Sequence, residues 1–236
     1  MNFFSDSIFS AFHLIFFIDY ELYKIVYISL SISIISTIIA SIISIPLGFS
    51  ISISNFRYKR FIITIFNTLL ALPTVVIGLF VYSFISRRGL FGSLNLLYTP
   101  KAIIIGQIIL IIPVITTYTI SSISRIDKRY KKTALSLGAN RLYLALVIIN
   151  EARFGIISAI VGGFGRVISE IGISMMLGGN IRGFTRTMTT AMALEYDKGE
   201  FVLAIALGII LIAISLIINV LFHIFQGSAE FMQNSS

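Results

Sequence analysis

The run IVYISLSISIISTIIASIISIPLGFSISI, from Ile25 to Ile53, holds no charged side chain. It exceeds the roughly 20 apolar helical residues that a hydrocarbon layer about 30 Å thick requires. Three further runs pass the same test, Phe61 to Ile85, Ala102 to Ile123 and Phe201 to Phe225. A fifth, residues 154–177, is long enough but contains Arg166 and Glu170. The whole chain agrees: of 236 residues 57% are hydrophobic and 12% charged, with a mean hydropathy of +0.98. Soluble domains carry about 25% charged residues. Ten acids and eighteen bases cannot coat a 26.2 kDa globule, so a soluble enzyme and a disordered chain are excluded. The composition predicts an all-α, polytopic membrane protein.

The charges orient the spans. Asn55–Arg60 carries Arg57, Lys59 and Arg60; Ser124–Arg153 carries Arg125, Lys128, Arg129, Lys131, Lys132, Arg141 and Arg153. These two connections lie on one side and hold ten of the eighteen basic residues. Basic residues concentrate in short cytoplasmic loops, where they orient helices and meet anionic lipid. The segment before the first span has Asp6, Asp19 and Glu21 against Lys24, which suits the outside. The expected layout has residues 1–24 outside, a transmembrane domain over 25–225 with a long cytoplasmic loop at 124–153, and a cytoplasmic tail, 226–236. The apolar run Ile8–Ile18 is too short to span and reads as an interfacial helix. The +8 charge is explained by topology, and no soluble basic module exists for a nucleic acid. With no cysteine and two histidines, neither a thiolate metal site nor a cysteine nucleophile is available.

Pro46, Pro73 and Pro113 fall inside the first three spans, and each is expected to kink or interrupt its helix. Packing kinks and a bundle with moving parts are both compatible with this. The fourth span is rich in small residues, including Gly155, Ser158, Gly162, Gly163, Gly165 and Ser169. They suit a helix at the bundle centre, a dimer seam or a pore wall. Arg166 and Glu170, four apart, share a helix face. Two readings stand: a structural ion pair that makes burial tolerable, and a gate.

The loop between the third and fourth spans is strongly apolar after its basic start, with Leu135, Leu137, Leu142 and Leu144, and Gly138 interrupts it. Such a surface suits docking into a groove of another protein or lying on the lipid surface with its basic residues against anionic headgroups, and Gly138 favours docking. The stretch Lys132-Thr133-Ala134-Leu135-Ser136-Leu137-Gly138-Ala139 resembles the EAA loop of ABC importer permeases. Ala134 and Gly138 match the pattern, whereas Lys132 and Thr133 replace its opening Glu-Ala. Asn150-Glu151 stands where a Leu-Pro pair usually closes it. A second block, residues 165–172, 178–181 and 185–191, is similar to the region after the coupling loop in importers of molybdate, tungstate and sulfate. Its details look most like the tungstate-type permeases.

The resemblance implies the type I ABC importer permease fold: five transmembrane helices and a cytoplasmic coupling helix. Lys132, Thr133, Ala134, Leu137, Gly138 and Ala139 would then contact an ATPase subunit. Arg166, Ser169, Glu170, Gly172 and Met175 would lie near the gate. Arg87, Arg88, Asn180, Arg182 and Arg186, in the outer loops, would meet a substrate-binding protein. The implied assembly is a homodimer in the bacterial inner membrane that imports an oxyanion, with tungstate ahead of molybdate and sulfate. No G-x-x-x-x-G-K-[ST] loop occurs, so ATP and Mg²⁺ belong to the partner ATPase, and this chain carries no catalytic residue, metal or cofactor. A secondary carrier would need repeats and ionisable residues in several spans. An intramembrane enzyme would need a base beside one of the serines.

Overall fold

The computed structural model describes residues 3–17, 19–54, 56–127, 129–130, 133, 136–138 and 140–233. The helices are α1 (Phe3–Phe16), α2 (Tyr20–Ile53), α3 (Lys59–Leu70), α4 (Thr74–Ile85), α5 (Pro100–Ser124), α6 (Arg141–Ile168), α7 (Gly172–Gly178), α8 (Met188–Lys198) and α9 (Phe201–Gln233). Side-chain caps start several of them. Asp19 accepts the Leu22 N–H at 2.9 Å, and Asn140 accepts that of Tyr143 at 2.8 Å. Thr187 and Thr190 form a reciprocal box on α8.

Close contacts give the direction of each pass. The Ser44 hydroxyl of α2 donates to the Ile112 carbonyl of α5 at 3.2 Å. One turn on, a Cβ on Gly48 would lie 2.9 Å from the Thr119 Cβ and 3.0 Å from the Thr116 carbonyl. Position 48 therefore takes glycine because the two helices touch there, and α2 and α5 run in the same sense. The chain between them must cross back, which α3 and α4 do. Helix α6 opposes α5: Gly163 faces Ile115, and the Gln107 amide donates to the Val167 carbonyl at 3.4 Å.

Leu22 and Ile25 of α2, Ile168 of α6, Met188 and Ala191 of α8, and Ala206 and Leu207 of α9 form one core cluster. It places the start of α9 at the end where α2 begins. Ala11 of α1 is completely buried in this cluster, so α1 is packed against the bundle. The opposite end closes around Ile123, Leu144, Ile148, Ala152 and Ile156. Among the described residues, four helices are long and apolar enough to cross a membrane, and α3 with α4 makes a fifth crossing if counted as one. Ile212, Leu216 and Ile217 of α9 stay more than half exposed. In water each would forfeit about 1.5–3 kcal/mol of burial; against lipid it forfeits none.

Two spans differ from the sequence reading. The run 61–85 is broken, with α3 and α4 meeting at 99°. Pro73 lacks an N–H and clashes with the turn before it, and the chain enters α4 from an extended Pro73 (φ −61°, ψ 133°). Pro46 and Pro113 stay inside continuous helices. The run 154–177 belongs to a helix that starts at Arg141, inside the expected loop, and stops at Ile168; α7 follows after a break.

Candidate gate, coupling turn and outer loops

Helix α6 ends because its last polar side chains turn back on the backbone. The Ser169 hydroxyl donates to the Gly165 carbonyl at 2.8 Å. Glu170, only 3% exposed, accepts the Ile173 N–H at 3.2 Å and so caps α7. The Thr189 hydroxyl of α8 holds the Glu170 carbonyl at 2.8 Å. Arg166 Nη1 lies 3.6 Å from Glu170 Oε2, with the arginine side chain 43% exposed.

A buried carboxylate needs a counter-charge and hydrogen bonds. Arg166, the Ile173 N–H and the positive N-terminal end of α7 supply them. A Cβ on Gly172 would lie 3.0 Å from the Thr74 hydroxyl and 3.3 Å from Glu170 Oε1. The α6–α7 break and the α3–α4 break therefore adjoin. Gln107, seven residues into α5, touches Val167, which sets this junction about 10 Å inside the bundle.

Of the expected gate residues, Arg166, Ser169, Glu170 and Gly172 meet at this junction. Met175, 37% exposed, sits one turn along α7. Thr74, Thr189 and Gln107 complete the site and were missed. Thr189 stands in the quoted family block, and Thr74 follows the flagged Pro73. Gln107, a lone amide in the apolar third span, was the overlooked signal.

At the other end, Arg129, Tyr130, Thr133 and Ser136 are helical, and Gly138 has φ +80°. The glycine ends this turn in the left-handed region that favours it. Leu137 is 81% exposed, and nothing lies within 4 Å of a Cβ added to Gly138. Thr133, Leu137 and Gly138 line an open groove of about 770 Å³ together with Asp127, Tyr130 and Tyr143. Lys132, Ala134 and Ala139 lie outside the described residues. Asp127 accepts the Arg129 N–H at 2.8 Å and pairs with its guanidinium at 2.7 Å. The backbone bond first, then the side chain, hold the Asp127 carboxyl below the ordinary carboxylate range. The negative charge of Glu151 on α6, then its hydrogen bond, push the Tyr130 phenol up.

The outer loops give a mixed picture. Glu21 of α2 pairs with Arg182 and, at 3.6 Å, with Arg186, whose side chain is 11% exposed. These two arginines, expected to face a partner, are in part neutralised within the chain. Asn180, at φ 51°, donates from its amide to the Thr190 carbonyl at 3.2 Å. Arg87 and Arg88 are exposed and line a groove of about 630 Å³ beside Tyr98, and neither forms an ion pair among the described residues. The Tyr98 N–H donates to the Leu177 carbonyl at 2.8 Å, tying that loop to α7.

A fold of two broken spans around an internal ion pair, with a turn projecting at one end, matches a known family. Residues 44–229 match the model of the binding-protein-dependent transport system inner membrane component. The chain belongs to this family. It is thus a multi-pass membrane subunit of an ABC importer and not an enzyme, with the ATPase on a separate subunit. It is 37% identical to the tungstate uptake system permease protein TupB of Peptoclostridium acidaminophilum over 226 residues, which cover 96% of this chain and 99% of that protein. It is 42% identical to the TupB of Campylobacter jejuni over 169 residues, covering 72% and 71%. Its fold is similar to that of the MetNI methionine ABC transporter in inward-facing conformations, with a TM-score of 0.70 at 16% identity, covering 87% of this chain and 94% of that one.

Proposed function

We propose that this chain is the membrane permease of an ATP-driven tungstate importer that works as a homodimer. The likeness to a tungstate permease over 96% of the chain carries the substrate. The half-open Arg166 beside the buried Glu170 supports an anion route, because a cation at this depth is costly unless it faces water or protein. The exposed Leu137 and the Gly138 turn would seat in an ATPase subunit that binds ATP and Mg²⁺. Arg87 and Arg88, with Asn180 and the Glu21-held Arg182 and Arg186, would receive an extracytoplasmic binding protein. The basic residues of segments 55–60 and 124–153 support a cytoplasmic end there, with the N-terminus outside and the C-terminus inside.

In this reading, closure of two ATPases on ATP draws the coupling turns together and opens the route outward. Hydrolysis returns it inward. The break at residues 169–171 is the element that changes shape. Cellular uptake of tungsten, molybdenum and sulfate, with the chain deleted and then restored, tests the proposal. Loss and recovery of tungsten alone is expected. Loss of molybdate or sulfate instead would replace the substrate, and no change in any of the three, with no redundant importer present, would refute the importer.

A further inference from the structure

Arg125 caps the end of α5 with its N–H on the Ile123 carbonyl, and its guanidinium forms no ion pair or hydrogen bond among the described residues. It opens on a groove of about 460 Å³ between α5 and α6, lined also by Tyr118, Ser121, Ser122, Ser158 and Gly162. The lining contains hydroxyls and a guanidinium but no carboxylate. Ser122 donates to the Tyr118 carbonyl at 2.8 Å, while the Tyr118, Ser121 and Ser158 hydroxyls have no partner among the described residues. The Arg153 guanidinium, bonded to the Asn150 side chain at 3.0 Å, lies 4.8 Å from the ring centre of Phe154, which lines the groove. Ser158, Gly162 and Arg166 follow one another at four-residue spacing, so one face of α6 leads from the gate arginine to this groove. Eight residues of helix make that path about 12 Å long.

We infer that this groove is a second binding site for a tetrahedral oxyanion, a station between Arg166 and the basic end of the bundle. The inference rests on the oxyanion reading above. Hydroxyl donors with an unpaired arginine replace the water of a doubly charged anion, as cationic rings do in anion pores. Exposed serines and bare glycine backbone suit an acyl chain poorly. A lipid phosphate shares the chemistry of the anion, and the test separates the two.

The chain has no cysteine, so Ser158→Cys introduces a unique thiol. The full-length permease, assembled with its ATPase in phosphatidylcholine nanodiscs, is labelled with an anionic methanethiosulfonate, with and without millimolar tungstate. Tungstate at about nine times its dissociation constant is expected to slow labelling about tenfold, because protection follows 1 + [L]/Kd. Arg125→Gln should abolish that protection, and Ser93→Cys, on the loop between α4 and α5, should show none. Ser121→Cys repeats the measurement if Ser158→Cys fails to assemble. No protection, or protection that survives Arg125→Gln, overturns the site. Protection by phosphatidylglycerol that tungstate does not compete with overturns it too, assigning the groove to lipid. Absence of protection with tungsten uptake intact leaves the transport function standing, whereas failure of that function shows as absent uptake by the unmodified protein.

Discussion

Glu170→Gln and Glu170→Ala separate the two tasks of one carboxylate. The side chain pairs with Arg166 at 3.6 Å and accepts the Ile173 N–H at 3.2 Å. At 3.6 Å and an effective dielectric near 20, the gross attraction is about 4–5 kcal/mol. Desolvating the carboxylate opposes it, and the open side of Arg166, 43% exposed, lets water screen it. A net value of about 1–2 kcal/mol follows, between those of exposed and buried pairs. Gln keeps an oxygen for Ile173, so Glu170→Gln should cost about that much. Ala also removes the cap, adding about 1 kcal/mol. Thermal unfolding of the purified permease should therefore rank the wild type above Glu170→Gln and Glu170→Ala last. Arg166→Gln with Glu170→Gln should cost less than the sum of the single changes by about 1 kcal/mol, as coupled neighbours do. Strict additivity would refute the ion pair. Equal losses for Gln and Ala would refute the cap.

Other substitutions test other parts of the chain. Gly48→Val drives a side chain into Thr119 and the Thr116 carbonyl and should destabilise the α2–α5 contact by about 1–3 kcal/mol, read as a lower melting temperature. Gly138→Glu should abolish uptake while membrane abundance stays near normal, because nothing lies within 4 Å of that position and the left-handed backbone costs a non-glycine residue only about 1–2 kcal/mol; normal uptake would remove the docking role. Glu21→Gln releases Arg182 and Arg186, so trypsin should cut the purified permease at Arg182 faster than in the wild type. The Asp127 carboxyl is held below its ordinary range, so the stability it gives the 127–129 turn is present above the unfolded pKa and lost as pH falls through the folded one. Hydrogen exchange there, corrected for intrinsic rates, should rise at acid pH, and Asp127→Asn should remove the change.

The spans were legible because a hydrocarbon layer demands long apolar runs, and Ile25–Ile53 needs no neighbour to be recognised. The loop with Gly138 was legible for a similar reason, since an apolar surface beside seven basic residues is locally odd. The end of α6 was not. Arg166 and Glu170 four apart suit a continuing helix, and one of the groups that holds the backbone at the break, Thr189, stands nineteen residues on. Pro73 was visible, but its 99° bend depends on where α4 packs. Arg182 and Arg186 looked free because their partner, Glu21, is 161 residues from Arg182.

What escaped the sequence shares one physical character. The breaks at Ala71–Pro73 and Ser169–Ile171 adjoin through Gly172 and Thr74, and each leaves helix ends unsatisfied inside the bundle. Backbone at that depth is tolerated only where protein or water takes its hydrogen bonds. Here Glu170, Thr189 and Ser169 take them, through bonds on one or two side chains each. A continuous helix such as α5 resists bending because every turn adds backbone bonds. The junction is held by these side chains, one half-screened ion pair and a few backbone bonds, among them Glu170 N–H to the Val167 carbonyl at 3.2 Å and Met175 N–H to the Ile171 carbonyl at 2.8 Å. A motion that moves α4 relative to α7 therefore meets least resistance at residues 169–172. This makes it the part of the chain best suited to changing shape.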